Sequence, residues 1–190
     1  MEVVRIENFI SKKESKILSN WILNNSHQPF FKNANMGGNR KTTRYSTNEN
    51  FFYPEESLNI RKKIINKFNL QENEIHKIYP PFKNGIVASF AENNDTCYSH
   101  IDPIWKKNYE TLHCNIVTQT PEEGGELIIN KNKYIMKKNE LFCYRVSKNN
   151  HEVLKIKSKK PRLMWIFGFC VNEKQWNYIN KKINDTCNLS

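Results

Sequence analysis

The sequence RLMWIFGFCV, residues 162–171, is a very apolar run that is rich in aromatic and aliphatic side chains. Such a run predicts a buried β-strand. Turn signals such as Pro121–Gly125 and Lys148–Asn150 separate it from similar runs that begin at about residue 76. About eight short strands at this spacing predict a two-sheet barrel or jelly roll. The other runs are HKIYP (76–80), GIVASF (85–90), CYSHID (97–102), TLHCNIVTQ (111–119), ELIIN (126–130), KYIM (133–136), ELFCYRV (140–146) and HEVLKI (151–156).

Helical patterns flank these runs at both ends of the chain. Ser11 and Glu14 have the spacing of a capping box, and apolar residues at helical intervals follow, so we expect a helix from about 11 to 24. Pro54 opens a second helix, and Trp176 and Ile179 have the interval of a C-terminal one. Helices followed by strands predict an α+β fold in a single domain over 1–190, with the N-terminal helices packed on one sheet. We expect a helical part over about 1–75, a jelly-roll core over about 76–171 and a closing helix over about 172–186.

The composition narrows the class of protein. Thirty Lys and Arg against 19 Asp and Glu give a net charge of +11, but the basic residues are dispersed, so a nucleic-acid partner is allowed without being favoured. Five cysteines without a CxxC spacing predict reduced thiols in an intracellular, cytoplasmic protein. No apolar run approaches the ~20 residues of a membrane span. The N-terminus lacks the pattern of a signal peptide.

The segment His100-Ile101-Asp102 is the first part of a predicted metal site. Residues i and i+2 of a strand project from the same face, so an imidazole and a carboxylate at this spacing can bind one metal ion. Alone, the pair is close to what chance produces, and a strand-end histidine beside a solvated aspartate explains it equally well. His151, at the head of a later strand, supplies a third ligand. Two histidines and one carboxylate are the ligand set of non-haem Fe(II) oxygenases.

Arg162 opens the apolar run, eleven residues after His151. A cation in this position requires a buried anion, and the guanidinium fork suits a carboxylate. We therefore expect Arg162 to bind the far carboxylate of a dicarboxylic keto acid that chelates the metal. Two alternatives stay open, namely a salt bridge from Arg162 to Glu140 or Glu152, and Lys160 as the anchor instead.

In this order, the motifs resemble the 2-oxoglutarate/Fe(II)-dependent dioxygenase superfamily, and most closely its prolyl-4-hydroxylase-type branch. The resemblance covers about residues 86–171 and rests on His100-x-Asp102, Gly-Gly-Glu-Leu at 124–127, His151 and Arg162. It implies a double-stranded β-helix (cupin-like jelly roll), Fe(II) at the His-Asp-His set, 2-oxoglutarate and O2 as co-substrates, and ascorbate as a reductant. It also implies hydroxylation of a C–H bond in a peptide or protein of the prolyl type, or in an amino acid or other small molecule, with release of succinate and CO2.

This chain departs from the branch pattern near the co-substrate. Relatives carry a tyrosine ahead of the first metal histidine, whereas here that region reads Ser89-Phe90-Ala91. Tyr98 has the strand parity of His100, so we expect it to contact 2-oxoglutarate instead. His113 and Asn115 share one face of their strand and are expected to line the same pocket. The alternative for His113 is a core histidine with a satisfied hydrogen bond.

The substrate side of the pocket is expected beside the polar stretch from about 32 to 48, which predicts a loop or an edge hairpin. Arg44 and Tyr45 from this stretch, and Trp105 after the metal pair, are the predicted substrate contacts. One alternative function is a non-catalytic or zinc-occupied jelly-roll binding module. Another is an oxygenase that acts on a nucleic acid.

Overall fold

A computed structural model describes residues 2–43, 52–70, 85–104 and 107–187, with side chains through Lys182. Three helices lie in these ranges: α1 (Lys12–Asn25), α2 (Glu55–Phe68) and α3 (Glu173–Cys187). The strands are β1 (Val3–Ile6), β2 (Lys32–Asn33), β3 (Lys41–Thr42), β4 (Ile86–Ala91), β5 (Cys97–His100), β6 (Glu110–Gln119), β7 (Leu127–Ile129), β8 (Asn132–Tyr134), β9 (Leu141–Arg145), β10 (His151–Val153) and β11 (Arg162–Val171). The predicted strand at 76–80 lies outside the described residues.

The strands form two sheets in which neighbours pair antiparallel. A seven-stranded sheet has the order β1-β9-β6-β11-β4-β3-β2, and a four-stranded sheet has the order β5-β10-β7-β8. The expectation of an α+β chain with two sheets is therefore confirmed. The apolar run 162–171 forms β11, which lies at the centre of the larger sheet between β6 and β4.

The predicted helices form close to their expected bounds. The Ser11 hydroxyl accepts a hydrogen bond from the Glu14 backbone N–H, and the Glu14 carboxylate accepts one from the Ser11 backbone N–H, so the capping box is present. The helix α2 follows Pro54 directly. No helix in the described ranges is long and apolar enough to cross a membrane.

The polar stretch before α2 contains an edge hairpin, as the sequence predicts. Its strands β2 and β3 pair with each other, and β3 pairs with β4 at the border of the larger sheet. The part of the chain expected to be helical also contains a strand, β1, which pairs with β9. Arg5 of β1 forms a salt bridge of 2.8 Å with the buried Glu140 carboxylate, so tertiary pairing accounts for this strand.

The two faces of β11 contact different partners because side chains alternate along a strand. Leu163, Trp165 and Phe167 belong to a large apolar cluster that includes residues of all three helices. Met164 and Ile166 belong to a second cluster, which contains Leu127 and Ile129 of the smaller sheet. The second cluster therefore lies between the two sheets, and it borders the cavity described below.

Candidate functional site

The structure brings His100, Asp102 and His151 together at the smaller sheet. His100 ends β5, His151 begins β10, and the two are direct partners across the strands, with ring centroids 4.2 Å apart. Asp102 follows two residues later, where its backbone N–H donates to the Val146 carbonyl at 3.0 Å. One ligand atom from each of the three residues lies within 4.8 Å of the others. Such a cluster has the ligand types and the spacing of a metal site.

Backbone carbonyls fix the orientation of both histidine rings. The Nδ1 atom of His100 lies 2.7 Å from the Tyr98 carbonyl oxygen, and that of His151 lies 3.1 Å from the Asn149 carbonyl oxygen. Because a carbonyl only accepts, each Nδ1 carries the hydrogen and donates it. In the neutral rings the lone pair is then on Nε2. Metal-binding histidines commonly have this outer partner, which sets the tautomer and holds the ring.

The Asp102 carboxylate connects two histidines in the cavity. Its Oδ1 lies 3.2 Å from His100 Nε2, and its Oδ2 lies 3.6 Å from His113 Nε2. Burial lowers the pKa of His100, but the hydrogen bonds with Asp102, Cys97 and the Tyr98 carbonyl outweigh it and raise that pKa to about 10. A divalent cation bound between these atoms would take the place of the proton on Nε2, since imidazole binds metals in its neutral form.

Tyr98, which the sequence predicts to contact the co-substrate, lies outside the cavity in this structure. Its side chain is 66% exposed and is not among the residues that line the cavity. The register explains this placement: His151 pairs with His100 but Val153 pairs with Cys97, so three steps along β5 match two along β10. This bulge breaks the alternation of the strand. The buried Cys97, which sequence parity did not select, lines the cavity beside His100 instead.

Arg162 lines the same cavity as the His-Asp-His cluster. Its side chain is buried, and burial together with the nearby charge of Arg40 lowers its pKa to about 10. Nη2 donates to the Met164 thioether at 3.2 Å, and no salt bridge joins Arg162 to a carboxylate of the described residues. Glu140, one partner considered from the sequence, pairs with Arg5. Lys160, the alternative anchor, is exposed at the surface.

Two further polar residues line the cavity as expected, and one was missed. His113 and Asn115 are buried on β6, and Asn115 Oδ1 has no hydrogen-bond partner within the described structure. Tyr144 of β9 pairs directly with His113 and contacts the His151 ring edge-on, with centroids 5.3 Å apart. Its parity within ELFCYRV was visible in the sequence, but its pairing with β6 was not.

A glycine turn packs against the arginine end of the cavity. Gly124 and Gly125 have φ of +79° and +75°, which side chains rarely adopt. A Cβ at Gly124 would lie 2.0 Å from the Lys155 carbonyl oxygen, and one at Gly125 would lie 3.5 Å from Arg162 Cδ. The Gly-Gly-Glu-Leu motif thus lets the chain pass close to Arg162 and enter β7 at Leu127.

The cavity encloses about 40 Å³, which is room for roughly three water molecules. The Met164 thioether is a weak acceptor for Arg162, and a carboxylate would replace it readily. The predicted substrate contacts Arg44, Tyr45 and Trp105 lie outside the described residues.

The fold was compared with those of solved structures, and the sequence with protein families and curated proteins. No protein-family model and no curated protein matches the sequence. The chain is similar to the viral collagen prolyl hydroxylase of Paramecium Bursaria Chlorella virus-1 in its 2OG complex, with 19% identity, 90% of this chain and 97% of that chain covered, and a TM-score of 0.65. The chain has the fold of prolyl hydroxylases.

Two other prolyl hydroxylases support the same fold. A prolyl-4-hydroxylase from Pseudomonas putida is 12% identical, with 90% of this chain and 93% of that chain covered and a TM-score of 0.61. A prolyl hydroxylase from Trichoplax adhaerens, in complex with a hypoxia inducible factor oxygen degradation domain peptide fragment, is 15% identical, with 92% and 85% covered and a TM-score of 0.60. The resemblance that the motifs predict is therefore confirmed for the fold.

Proposed function

We propose that this chain is an Fe(II)- and 2-oxoglutarate-dependent dioxygenase that hydroxylates a C–H bond, built on a double-stranded β-helix core. One observation carries the proposal. A single cavity has the His100, Asp102 and His151 ligand atoms on one side and the buried guanidinium of Arg162 on another, with no carboxylate of the described residues paired to it. A metal ion and a dicarboxylate together satisfy both groups.

The donor set fits iron better than structural zinc. Two imidazoles and one carboxylate leave coordination positions open for a chelating keto acid and for O2, whereas closed structural zinc sites take four ligands that usually include thiolates. Cys97 is the one cysteine that lines the cavity in the described part of the chain, and its Sγ lies 3.9 Å from Nδ1 of His100, the ring nitrogen that also donates to the Tyr98 carbonyl. When bound, iron and 2-oxoglutarate would supply the oxidation, so that 2-oxoglutarate, O2 and a C–H bond become succinate, CO2 and an alcohol.

The residues of this chain would position the metal ion and the co-substrate and exclude water from the cavity. His100, Asp102 and His151 would hold the metal, and their carbonyl partners keep both rings in place. Arg162 would bind the carboxylate of 2-oxoglutarate far from the metal, and the buried amide of Asn115 offers a polar contact in the same cavity. Apolar neighbours such as Met164 and Ile166 keep the surroundings dry, which strengthens these charge interactions.

A peptide or protein of the prolyl type is the proposed substrate, with an amino acid as the second choice. The Trichoplax structure with the same fold holds a peptide fragment. Beside the metal ligands of this chain, Ile101 and Ile104 are 55% and 60% exposed. Two apolar side chains exposed within four residues of His100 favour an extended peptide over a small polar molecule as the substrate.

The first experiment tests the metal and the co-substrate together. Purified protein with Fe(II) and 2-oxoglutarate under anaerobic conditions should develop a weak visible charge-transfer band. His100→Ala and Asp102→Ala should each remove the band while leaving the circular dichroism spectrum unchanged. If the wild-type protein forms no band and releases no succinate with any candidate substrate, the proposal fails, and retention of tightly bound zinc would then favour the binding-module alternative.

The second experiment tests the substrate. Succinate release and a mass increase of one oxygen atom should accompany incubation with a panel of proline-containing peptides, free amino acids and short single-stranded oligonucleotides. We expect peptide products. Products found with oligonucleotides alone would replace the peptide proposal with the nucleic-acid alternative.

A further inference from the structure

A second arginine reaches the cavity from the edge hairpin, opposite Arg162. Arg162 of β11 pairs directly with Ala91 of β4. On the other side of β4, Lys41 pairs with Phe90 and Thr42 with Ser89, so the same register continued by one residue places Arg40 across from Ala91. Residues directly opposite in neighbouring antiparallel strands project from the same face. Arg40 and Arg162 therefore flank one small alanine on the face that borders the cavity.

This spacing suits a ligand held from two sides. Neighbouring strands lie ~4.8 Å apart, so the two arginine backbones are ~10 Å apart across Ala91. At this distance the two backbones do not contact each other, but the two long arginine side chains can both reach a ligand that lies between them. A methyl group between them occupies little of the space. Both arginines line the cavity that contains the His-Asp-His cluster.

Nothing described in the chain balances the two charges. No salt bridge joins either guanidinium to a carboxylate of the described residues, and the buried Nε of Arg40 has no hydrogen-bond partner there. The charge of Arg40 is close enough to lower the pKa of Arg162 in addition to the effect of burial. Two cations near each other in a low-dielectric cavity are costly unless an anion binds between them.

The hairpin holds Arg40 firmly in this position. The Arg40 carbonyl accepts a hydrogen bond of 2.8 Å from the Ala34 backbone N–H, which closes the turn. The Asn39 backbone N–H donates to Asp95 Oδ1 at 2.6 Å. Asp95 is buried and also accepts from the Glu92 backbone N–H at 2.8 Å, so it ties the hairpin to the turn after β4. The Arg40 side chain therefore extends into the cavity from an anchored turn.

We propose that Arg40 and Arg162 together form a two-arginine clamp for one carboxylate, the carboxylate of the keto-acid co-substrate that lies far from the metal. The clamp rests on the proposed function, because it assigns a second binding residue to the co-substrate of that same site. The guanidinium of Arg162 supplies one pair of N–H donors and that of Arg40 supplies another, so the two oxygens of a single carboxylate satisfy both. The clamp makes the site selective for keto acids that carry a second carboxylate.

The test compares two keto acids in two variants. Affinities of the anaerobic Fe(II) protein for 2-oxoglutarate and for pyruvate, which lacks the distal carboxylate, are measured from the charge-transfer band and by calorimetry. Arg40→Gln should weaken binding of 2-oxoglutarate roughly tenfold to a hundredfold, as expected for loss of charged hydrogen bonds, and leave pyruvate binding unchanged. Arg40→Lys, which retains charge without the planar fork, should give an intermediate loss.

Lys41→Gln is the matched control. It removes one positive charge from the same hairpin, but its side chain has the opposite strand parity to Arg40 and does not line the cavity. Its affinity for both keto acids should equal that of the wild type. Thermal melting of each variant shows whether the fold is retained, and Arg40→Lys keeps the test informative if Arg40→Gln lowers stability.

Each result decides the proposal. If Arg40→Gln binds 2-oxoglutarate within twofold of the wild type, or loses affinity for both keto acids equally, Arg40 is not part of a carboxylate clamp. An equal loss in Lys41→Gln would show a general charge effect and would overturn the clamp as well. If the wild-type protein binds neither Fe(II) nor 2-oxoglutarate, the proposed function fails together with the clamp. If the wild-type protein binds both and Arg40→Gln binds them equally well, the clamp alone fails.

Discussion

The two faces of the seven-stranded sheet differ in function, although alternate residues of the same strands form both faces. On the outer face, Trp165 of β11 packs against Trp21 and Tyr53, with ring centroids 5.4 and 5.7 Å away. On the inner face of the same strand, Arg162 and Met164 border the cavity between the sheets. The outer face holds the large apolar cluster with the helices, and the inner face holds buried polar groups that a ligand would satisfy.

This difference shows that residues which stabilise the fold and residues which would bind ligands alternate along the same strand. A fully apolar interface gains free energy from burial in proportion to area. A buried cation without an anion costs free energy until a ligand arrives. Substitutions on the outer face should therefore lower stability and spare binding, whereas substitutions of the buried polar groups on the inner face should weaken binding and spare stability. Four substitutions, ordered from the largest expected effect to the smallest, test that separation.

The largest effect is expected from Trp165→Ala on the outer face. Trp165 is fully buried, and its Nε1–H donates to the Leu18 carbonyl at 3.4 Å. Loss of such an aromatic core residue costs about 3–5 kcal/mol, which lowers the melting temperature of a chain of this size by roughly 10 °C. Chemical denaturation measures the change. Ile166→Val, next along the strand and facing the cavity, is the control and should cost only about 0.5–1.5 kcal/mol.

Arg162→Met on the inner face should behave in the opposite way. Methionine approximates the arginine stem without its charge, so the free energy of unfolding of the ligand-free protein should stay equal or increase. Affinity for 2-oxoglutarate should fall by about 2–5 kcal/mol because the distal carboxylate loses its buried partner. Calorimetry with 2-oxoglutarate and a thermal melt without it give both numbers. A large loss of stability in the ligand-free variant would mean that Arg162 has a structural role, and the separation of faces would not hold.

Local signals made part of this arrangement predictable from the sequence. The capping box fixed the start of α1, and the i, i+2 spacing of His100 and Asp102 placed both near one point because the chain between them is short. The position of Arg162 at the head of an apolar run identified a buried cation. Each of these predictions depends on residues that are close in the chain.

Features that depend on pairing between distant strands were not predictable. The bulge in β5 is visible only once His151 and Val153 are paired with β5, and it moved Tyr98 out of the cavity and Cys97 into it. Arg40 and Arg162 are brought together by their shared neighbour Ala91, and 122 positions of chain separate them. Register between remote strands is set by tertiary packing and not by local periodicity.

His113→Leu sharpens the comparison because His113 is a polar residue of the inner face. Its Nε2 lies 3.6 Å from Asp102 Oδ2, just beyond hydrogen-bond distance, and we expect a small shift of the imidazole to bring it against that carboxylate when a metal ion is bound. Removal of such an outer partner typically lowers metal affinity ten- to a hundredfold. Competition with a chelator measures the affinity for Fe(II) or Mn(II), and His113→Gln, which keeps a hydrogen-bond donor, should recover part of it. The core-histidine alternative predicts lower stability with unchanged metal affinity.

Ser11→Ala should give the smallest effect, and it acts far from the cavity. Without the hydroxyl, the Glu14 backbone N–H at the start of α1 loses its acceptor, which costs about 1 kcal/mol and lowers the melting temperature by about 2–4 °C. Glu14→Gln is the matched control, since glutamine can still accept from the Ser11 backbone N–H and complete the capping box. Metal and 2-oxoglutarate affinities should be unchanged in both variants. Because α1 packs on the outer face alone, a change in either affinity would show that the two faces of the sheet are coupled through β11 and that side-chain parity does not separate their tasks.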